Sequence, residues 1–244
     1  MKSWPDSKSP WGKQLRFEED EFEAMMDEMR GRAGSECFTP GKGVDVDLVV
    51  LRAIETEADY VDLPAGVMGR TIFGADGSAT IEISRSLSEE AEHDRVAERR
   101  LRTTVAHECG HVACHRGLFM RDTETFSLFA VTEGTKSAVT KPPIMCREES
   151  VGRIGYNGQW WEYQANRCMA ALLLPRRLFG ASAKRCLGDG GFKSGEECLN
   201  RGYAEHFVRE LSDEYNVSQQ ATLLRLQALG YLPSGTQARL RLVD

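Results

Sequence analysis

One short string carries the chemistry of this sequence: His107-Glu108-Cys109-Gly110-His111. Residues i and i+4 share a face of a helix, so the two imidazoles can reach one ion, and the glutamate beside them can act on a water at that ion. Nitrogen ligands at this spacing suit a catalytic zinc, with His107 and His111 as ligands and Glu108 as general base. Leu101, Val105 and Val112 supply apolar neighbours. They predict a packed helix, which a rigid catalytic geometry requires.

A catalytic zinc takes three protein ligands and keeps a fourth position for water, so one ligand must come from elsewhere. A carboxylate on a second helix is the group to look for. The downstream run Glu162-Tyr163-Gln164-Ala165-Asn166-Arg167-Cys168-Met169-Ala170-Ala171-Leu172-Leu173-Leu174-Pro175 offers one. Here a resemblance enters. Arg102-Thr103-Thr104-Val105-Ala106-His107-Glu108-Cys109-Gly110-His111 is close to the R-x-T-x-A-H-E-x-G-H of the ImmA/IrrE family of metallopeptidases, and the second run resembles that family's E-x-x-A-N-x-F-A-x-x-L-L-x-P. Val217-Ser218 through Arg225-Leu226 and Leu229-Gly230 resembles the V-S-x-x-x-x-x-x-R-L-x-x-L-G that ends the family's catalytic region. Val44 to Ile83 is similar to its small sheet.

The resemblance implies Glu162 as third ligand, Asn166 as the residue that orients a ligand, and Zn²⁺ as cofactor. It implies an α+β fold, mainly helical and zincin-like, with a small antiparallel sheet and a C-terminal helix-turn-helix-like part. It also implies a substrate, a helix-turn-helix repressor protein controlling a DNA-damage, mobile-element or phage-defence response. In that mechanism Glu108 takes a proton from the attacking water and passes it to the leaving amine. His206, Tyr156 and Tyr163 are candidate oxyanion donors, and spacing selects none of them. By analogy with zinc peptidases, Thr80 to Ile83 is an edge strand that an extended substrate could join.

The sequence departs from the family pattern in one place: fifty residues separate His111 from Glu162. Residues 116–160 lack periodicity and read as an irregular insertion near the site, able to act as a lid. Cys146 is the one cysteine in the insertion. A thiolate there is a candidate inhibitory zinc ligand, against the plainer reading of a buried thiol. Cys109 should face away into the core. Cys114 and His115 lie a turn beyond the metal face, where they could touch the lid. Cys168 replaces an aromatic residue of the family string and is expected to pack.

The elements that position these residues follow from the rest of the chain. Its 244 residues are 41% hydrophobic and 28% charged, with a mean hydropathy of −0.41, enough for one large or two modest domains. Residues 1–43 read as an acidic helix and linker, with an apolar stripe of Phe17, Phe22, Met25, Met26 and Met29 over Gln14 to Arg30 that either docks on the main domain or binds a partner. Residues 44–200 form the expected metallopeptidase domain. Val44 to Ile54 is helix or strand, and Asp59 to Leu63, Val67 to Phe73 and Thr80 to Ile83 are antiparallel strands. Ser88 precedes a long helix or helix pair, Trp160 to Leu174 is helical, and Gly180 to Gly202 is a loop. Residues 201–244 are the helix-turn-helix-like part, with helices over Tyr203 to Tyr215 and Ser218 to Leu229.

No apolar run reaches membrane-spanning length, and Met1 to Pro10 has two lysines with no apolar stretch behind them. A cytoplasmic protein without a membrane partner is expected. Seven cysteines with no CxxC pair argue against a disulfide framework. The net charge of −6 argues against general polyanion binding. Two local basic groups remain, Arg95, Arg99, Arg100 and Arg102, then Arg176 and Arg177 with their neighbours. Each is a solvated face or a site for single-stranded DNA acting as activator. Two other functions stay open: a binding protein that sequesters a repressor without cutting it, and a DNA-binding regulator. Five basic and five acidic residues over 201–244 leave no charge surplus for the latter.

Overall fold

The computed structural model describes residues 2–7, 9–120, 143–147, 158–187 and 201–232. The chain opens with a hairpin of β1 (Lys2–Pro5) and β2 (Lys13–Arg16), which pair antiparallel. Helix α1 (Glu19–Ala33) follows. The helix expected from Gln14 therefore starts later. The Glu18 N–H donates to the Glu21 carboxylate at 2.8 Å and fixes the start there. Phe22, Met26, Met29 and Ala33 fall on one buried face of α1. Docking is therefore the outcome for the acidic helix, Phe22 and the two methionines each contributing about 1.5–3 kcal/mol when fully buried.

Between Gly31 and Gly43, expected as plain loop, lie a 3₁₀ turn (Ser35–Cys37) and the two-residue strands β3 (Phe38–Thr39) and β4 (Gly43–Val44). Helix α2 (Val46–Val49), capped by the Asp45 carboxylate on the Leu48 N–H, runs into a π turn (Val50–Ile54). That resolves the ambiguous 44–54 stretch as helical from Val46 onward, with Val44 in β4.

The main sheet contains β5 (Ala58–Val61), β6 (Val67–Phe73), β7 (Ala79–Ser84) and β8 (Ile144–Arg147) in the order β5-β7-β6-β8. Two expectations are corrected here. The sheet is mixed, because β5 pairs parallel with β7 while the other pairs are antiparallel. Thr80 to Ile83 is not an edge, because β7 is bonded on both sides. A third correction concerns the insertion. Ile144 and Cys146 alternate with Met145 and Arg147 in burial, so this stretch has the period of a strand and extends the sheet beyond β6.

Helix α3 (Arg85–Ala91) contains Ser88, and the long α4 (Arg95–Phe119) begins at Asp94, whose carboxylate accepts from the Ala97 N–H at 3.0 Å. A helix pair is present, and its caps lie at Ser84 and Asp94. Helix α5 (Trp160–Leu173) stops before Pro175 as expected. Helix α6 (Arg176–Leu187) occupies the first part of the stretch read as loop from Gly180. Phe179 and Ala183, four residues apart, are both fully buried and hold it down. The last elements, α7 (Arg201–Tyr215) and α8 (Gln219–Ala228) with Ser218 as its cap, lie where the sequence placed them.

The architecture is mixed α and β, mainly helical. One core joins Met26 of α1, Ile81 and Ile83 of β7, Val105 and Cys109 of α4, and Leu172 of α5 to Phe207, Leu211, Leu223 and Leu226 of α7 and α8. A smaller cluster of Leu15, Leu118, Phe119, Ile144 and Trp160 ties the hairpin, the end of α4, β8 and the start of α5 together. Among the described residues no helix is long and apolar enough to cross a membrane.

Candidate metal centre

Helices α4 and α5 touch at Gly110. A β-carbon there would lie 2.8 Å from the Ala165 carbonyl oxygen and 2.9 Å from Cys168 Cβ, so only glycine allows the approach. The contact brings the His107 and His111 face of α4 onto the first turn of α5, where Glu162 stands. One ligand atom from each of His107, His111 and Glu162 lies within 4.8 Å of the other two. The two histidines are 0% exposed and Glu162 is 3% exposed. This group could hold a metal ion.

The hydrogen-bond pattern fits a cation. His107 Nδ1 faces Asn166 Oδ1 at 3.2 Å, and its Nε2 faces Glu162 Oε2 at 3.2 Å. Both ring nitrogens thus point at acceptors, which demands a proton on each or a metal at Nε2. Burial opposes a charge on His107, but the Glu162 carboxylate and Glu108 outweigh it and raise its pKa. His111 Nε2 lies 3.5 Å from Glu162 Oε1, and both atoms are buried without a hydrogen-bond partner. Burial together with His107 and His115 pushes the His111 pKa well down, leaving a neutral ring suited to ligation. Two orphaned acceptors facing each other are what a divalent cation would satisfy.

Glu108 lies fully buried behind these ligands. Burial raises its carboxyl pKa to about 7, against the lowering influence of His107, of the Thr71 hydroxyl and of the nearby Cys146 thiol. The Thr71 hydroxyl of β6 donates to Oε2, and Oε1 has no partner. Gly69, two residues before Thr71 on the same strand, keeps space at Oε1, since a β-carbon there would come within 2.9 Å. Sequence reasoning missed both residues. The signal was a pair of small residues at period two on one face of a strand.

Cys146 is also buried, opposite Gly69 in the β6–β8 register. Burial pushes its pKa far up, and the nearby carboxylates of Glu108 and Glu162 add to this. The thiol, weighed as an inhibitory zinc ligand against a plain buried thiol, is buried beside the base. Its sulfur is not among the three mutually close ligand atoms.

Asn166 is brought to His107 as expected. Cys109 is a core thiol, as expected. Cys114 Sγ lies 3.4 Å from Cys168 Sγ between α4 and α5, and no contact with a lid residue is seen for it among the described residues. His115, placed by spacing a turn beyond the metal face, bonds there: its Nδ1 is 3.0 Å from His111 Nδ1 and its Nε2 is 3.0 Å from Gln164 Oε1. Burial pushes its pKa down to about 4, so the ring is neutral.

Two of the three oxyanion candidates, His206 and Tyr163, have their polar atoms on partners away from the ligand cluster. His206 is exposed on α7 beside Arg209 and Glu210, and the Tyr163 hydroxyl donates to Glu19 on α1. Tyr156 lies outside the described residues. The fold pairs several residues of the two basic groups with acids or with the main chain. Arg95 and Arg99 share Asp213, and Arg99 is 8% exposed. Arg102 donates to the Val44 and Asn216 carbonyls. Arg176 meets Asp20 and Glu23. Arg100 and Arg177 are exposed beside them. No family model matches the chain, and no curated protein matches it.

Proposed function

We propose that the chain is a zinc-dependent endopeptidase of zincin-like fold, resembling the ImmA/IrrE family, that cuts a helix-turn-helix repressor. The carrying observation is the convergence of His107, His111 and Glu162 with Glu108 behind them. Two histidines and one glutamate form a donor set typical of hydrolytic zinc, and the buried orphan acceptors fit it. Zinc held there would polarise the scissile carbonyl and make water acidic enough to attack.

The chain's own residues divide the remaining work. Asn166 holds the His107 ring with Nε2 towards Glu162, where the two would share the ion. Thr71 fixes one oxygen of Glu108, and the other faces open hydrogen-bonding capacity. Glu108 takes the proton of the attacking water as the C–O bond forms. It returns that proton to the amine nitrogen as the C–N bond breaks.

The complete burial of the four residues and the thiol on Glu108 describe a latent form. Substrate reaches the centre when β8 and Cys146 leave the outer edge of β6. Burial also gives a specific reason for a second reading, in which the protein sequesters a repressor and never cuts it.

Mass spectrometry of a candidate repressor decides between them, after incubation with wild type or Glu108→Gln, with Zn²⁺ or with chelator. A single cut that needs both Glu108 and the metal supports the peptidase. Stable binding by both proteins with no cut supports sequestration.

A further inference from the structure

A line of hydrogen bonds runs from His111, on the side away from Glu162, to the main chain. His111 Nδ1 lies 3.0 Å from His115 Nδ1, His115 Nε2 lies 3.0 Å from Gln164 Oε1, and Gln164 Nε2 donates to the Leu15 carbonyl oxygen at 2.7 Å. His111 and His115 are 0% exposed and Gln164 is 5% exposed, so water cannot replace these partners cheaply. The ring of His115 also packs edge-on against Trp160, with centroids 5.5 Å apart.

The direction of this line is determined by its last member. A backbone carbonyl can only accept, so the Gln164 amide nitrogen must face Leu15 and its oxygen must face His115. His115 must therefore carry its proton on Nε2 to donate to that oxygen. Its Nδ1 is then bare and accepts from His111, which carries its own proton on Nδ1. This leaves the lone pair of His111 on Nε2, the atom that faces Glu162 Oε1.

We infer that His115 is a positioning residue that fixes the tautomer and ring orientation of His111, its proton placement set through Gln164 by the main chain of the N-terminal hairpin. The inference rests on the metal-binding reading of His107, His111 and Glu162, and it does not require peptidase activity. Residues that hold a ligand histidine in this way usually change metal affinity by about 10- to 100-fold when removed. Gln164 stands two residues from Glu162 and faces a different partner, so the same helix supplies both a ligand and the support for another ligand.

The test uses full-length protein in the Glu108→Gln background, with Zn²⁺ affinity measured by competition against a chromophoric chelator and ring protonation read by ¹⁵N NMR of histidine. His115→Phe keeps an aromatic ring of similar size and removes both polar atoms. His115→Asn places an oxygen near the Nδ1 position and keeps the acceptor.

The expected result is a loss of affinity of about 10- to 100-fold for His115→Phe, with His115→Asn within about threefold of the parent. In the Zn²⁺-loaded parent, NMR should show His115 protonated at Nε2 and His111 at Nδ1. Equal affinities of His115→Phe and the parent would overturn the inference, and so would equal losses in both variants or a proton on His115 Nδ1. Should His115→Phe fail to fold, Gln164→Met carries the test: a loss of threefold or more supports the relay, and an unchanged affinity overturns it. A parent that binds no Zn²⁺ at one equivalent overturns the metal centre itself, an outcome distinct from all of these.

Discussion

The Glu108 carboxylate of α4 and the Cys146 thiol of β8 are buried against each other, although they stand 38 positions apart in the chain. The base of the proposed reaction is thus covered by a residue from the segment between the two helices that carry His107, His111 and Glu162. Cys146 sits opposite Gly69 in the strand register, where the missing side chain leaves space over Glu108.

Replacing Cys146 by alanine should free Glu108 and loosen β8. Basal cleavage by Cys146→Ala is expected to rise several-fold in kcat/KM, with one Zn²⁺ still bound. A progress curve on the cleaved repressor checks this, and an unchanged or lower rate would remove the latent-form reading.

Thr71→Val keeps the shape of the side chain and deletes its donor to Glu108. A hydrogen bond to a charged group contributes about 1.5–3 kcal/mol, so kcat should fall by roughly ten- to hundredfold. Zn²⁺ affinity should hold, because Thr71 touches no ligand. Parallel turnover and metal titration separate the two effects, and a matching loss of metal would show that Thr71 acts on folding instead.

Gly110→Ala drives a β-carbon into the Ala165 carbonyl oxygen and Cys168. Overpacking of this type costs about 1–3 kcal/mol. Because the strain falls between the two ligand-bearing helices, Tm and Zn²⁺ affinity should drop together. An unaltered melting curve would mean that α4 and α5 can separate without cost.

Metal removal should lower stability. An ion that binds only the folded chain adds about 2.7 kcal/mol at a free concentration one hundred times its Kd. Differential scanning fluorimetry with Zn²⁺ against chelator should show the higher Tm with metal in wild type. The difference should vanish in His111→Ala, and a persistent difference would place the ion elsewhere.

What the sequence revealed here was local. His107, His111 and the helix they share follow from spacing within one turn, and Ser218 marks its helix start by residue type. Glu162 and Asn166 came from a resemblance, and the fold then brought both to the same place. The rest depended on distant partners. Leu15 and Gln164 are 149 residues apart, and Thr71 and Glu108 are 37 apart, so nothing in either neighbourhood announces the other. Strand β8 is only four residues long and has strand alternation too brief to stand out. The arginines read as a possible polyanion site because sequence shows charge without showing Asp213 or Asp20 across the fold.

Strand β6 has β7 on one side and β8 on the other, so both rows of its main-chain hydrogen-bonding groups are taken. A segment tethered in the same molecule competes at an effective concentration on the order of millimolar. A free peptide present at micromolar levels therefore loses that competition by about three orders of magnitude, however well its side chains match the cleft. Under such odds the proposed proteolysis would be governed by how often the resident strand is elsewhere, and selectivity could be exercised by whatever draws it away before any bond of the proposed substrate is tested.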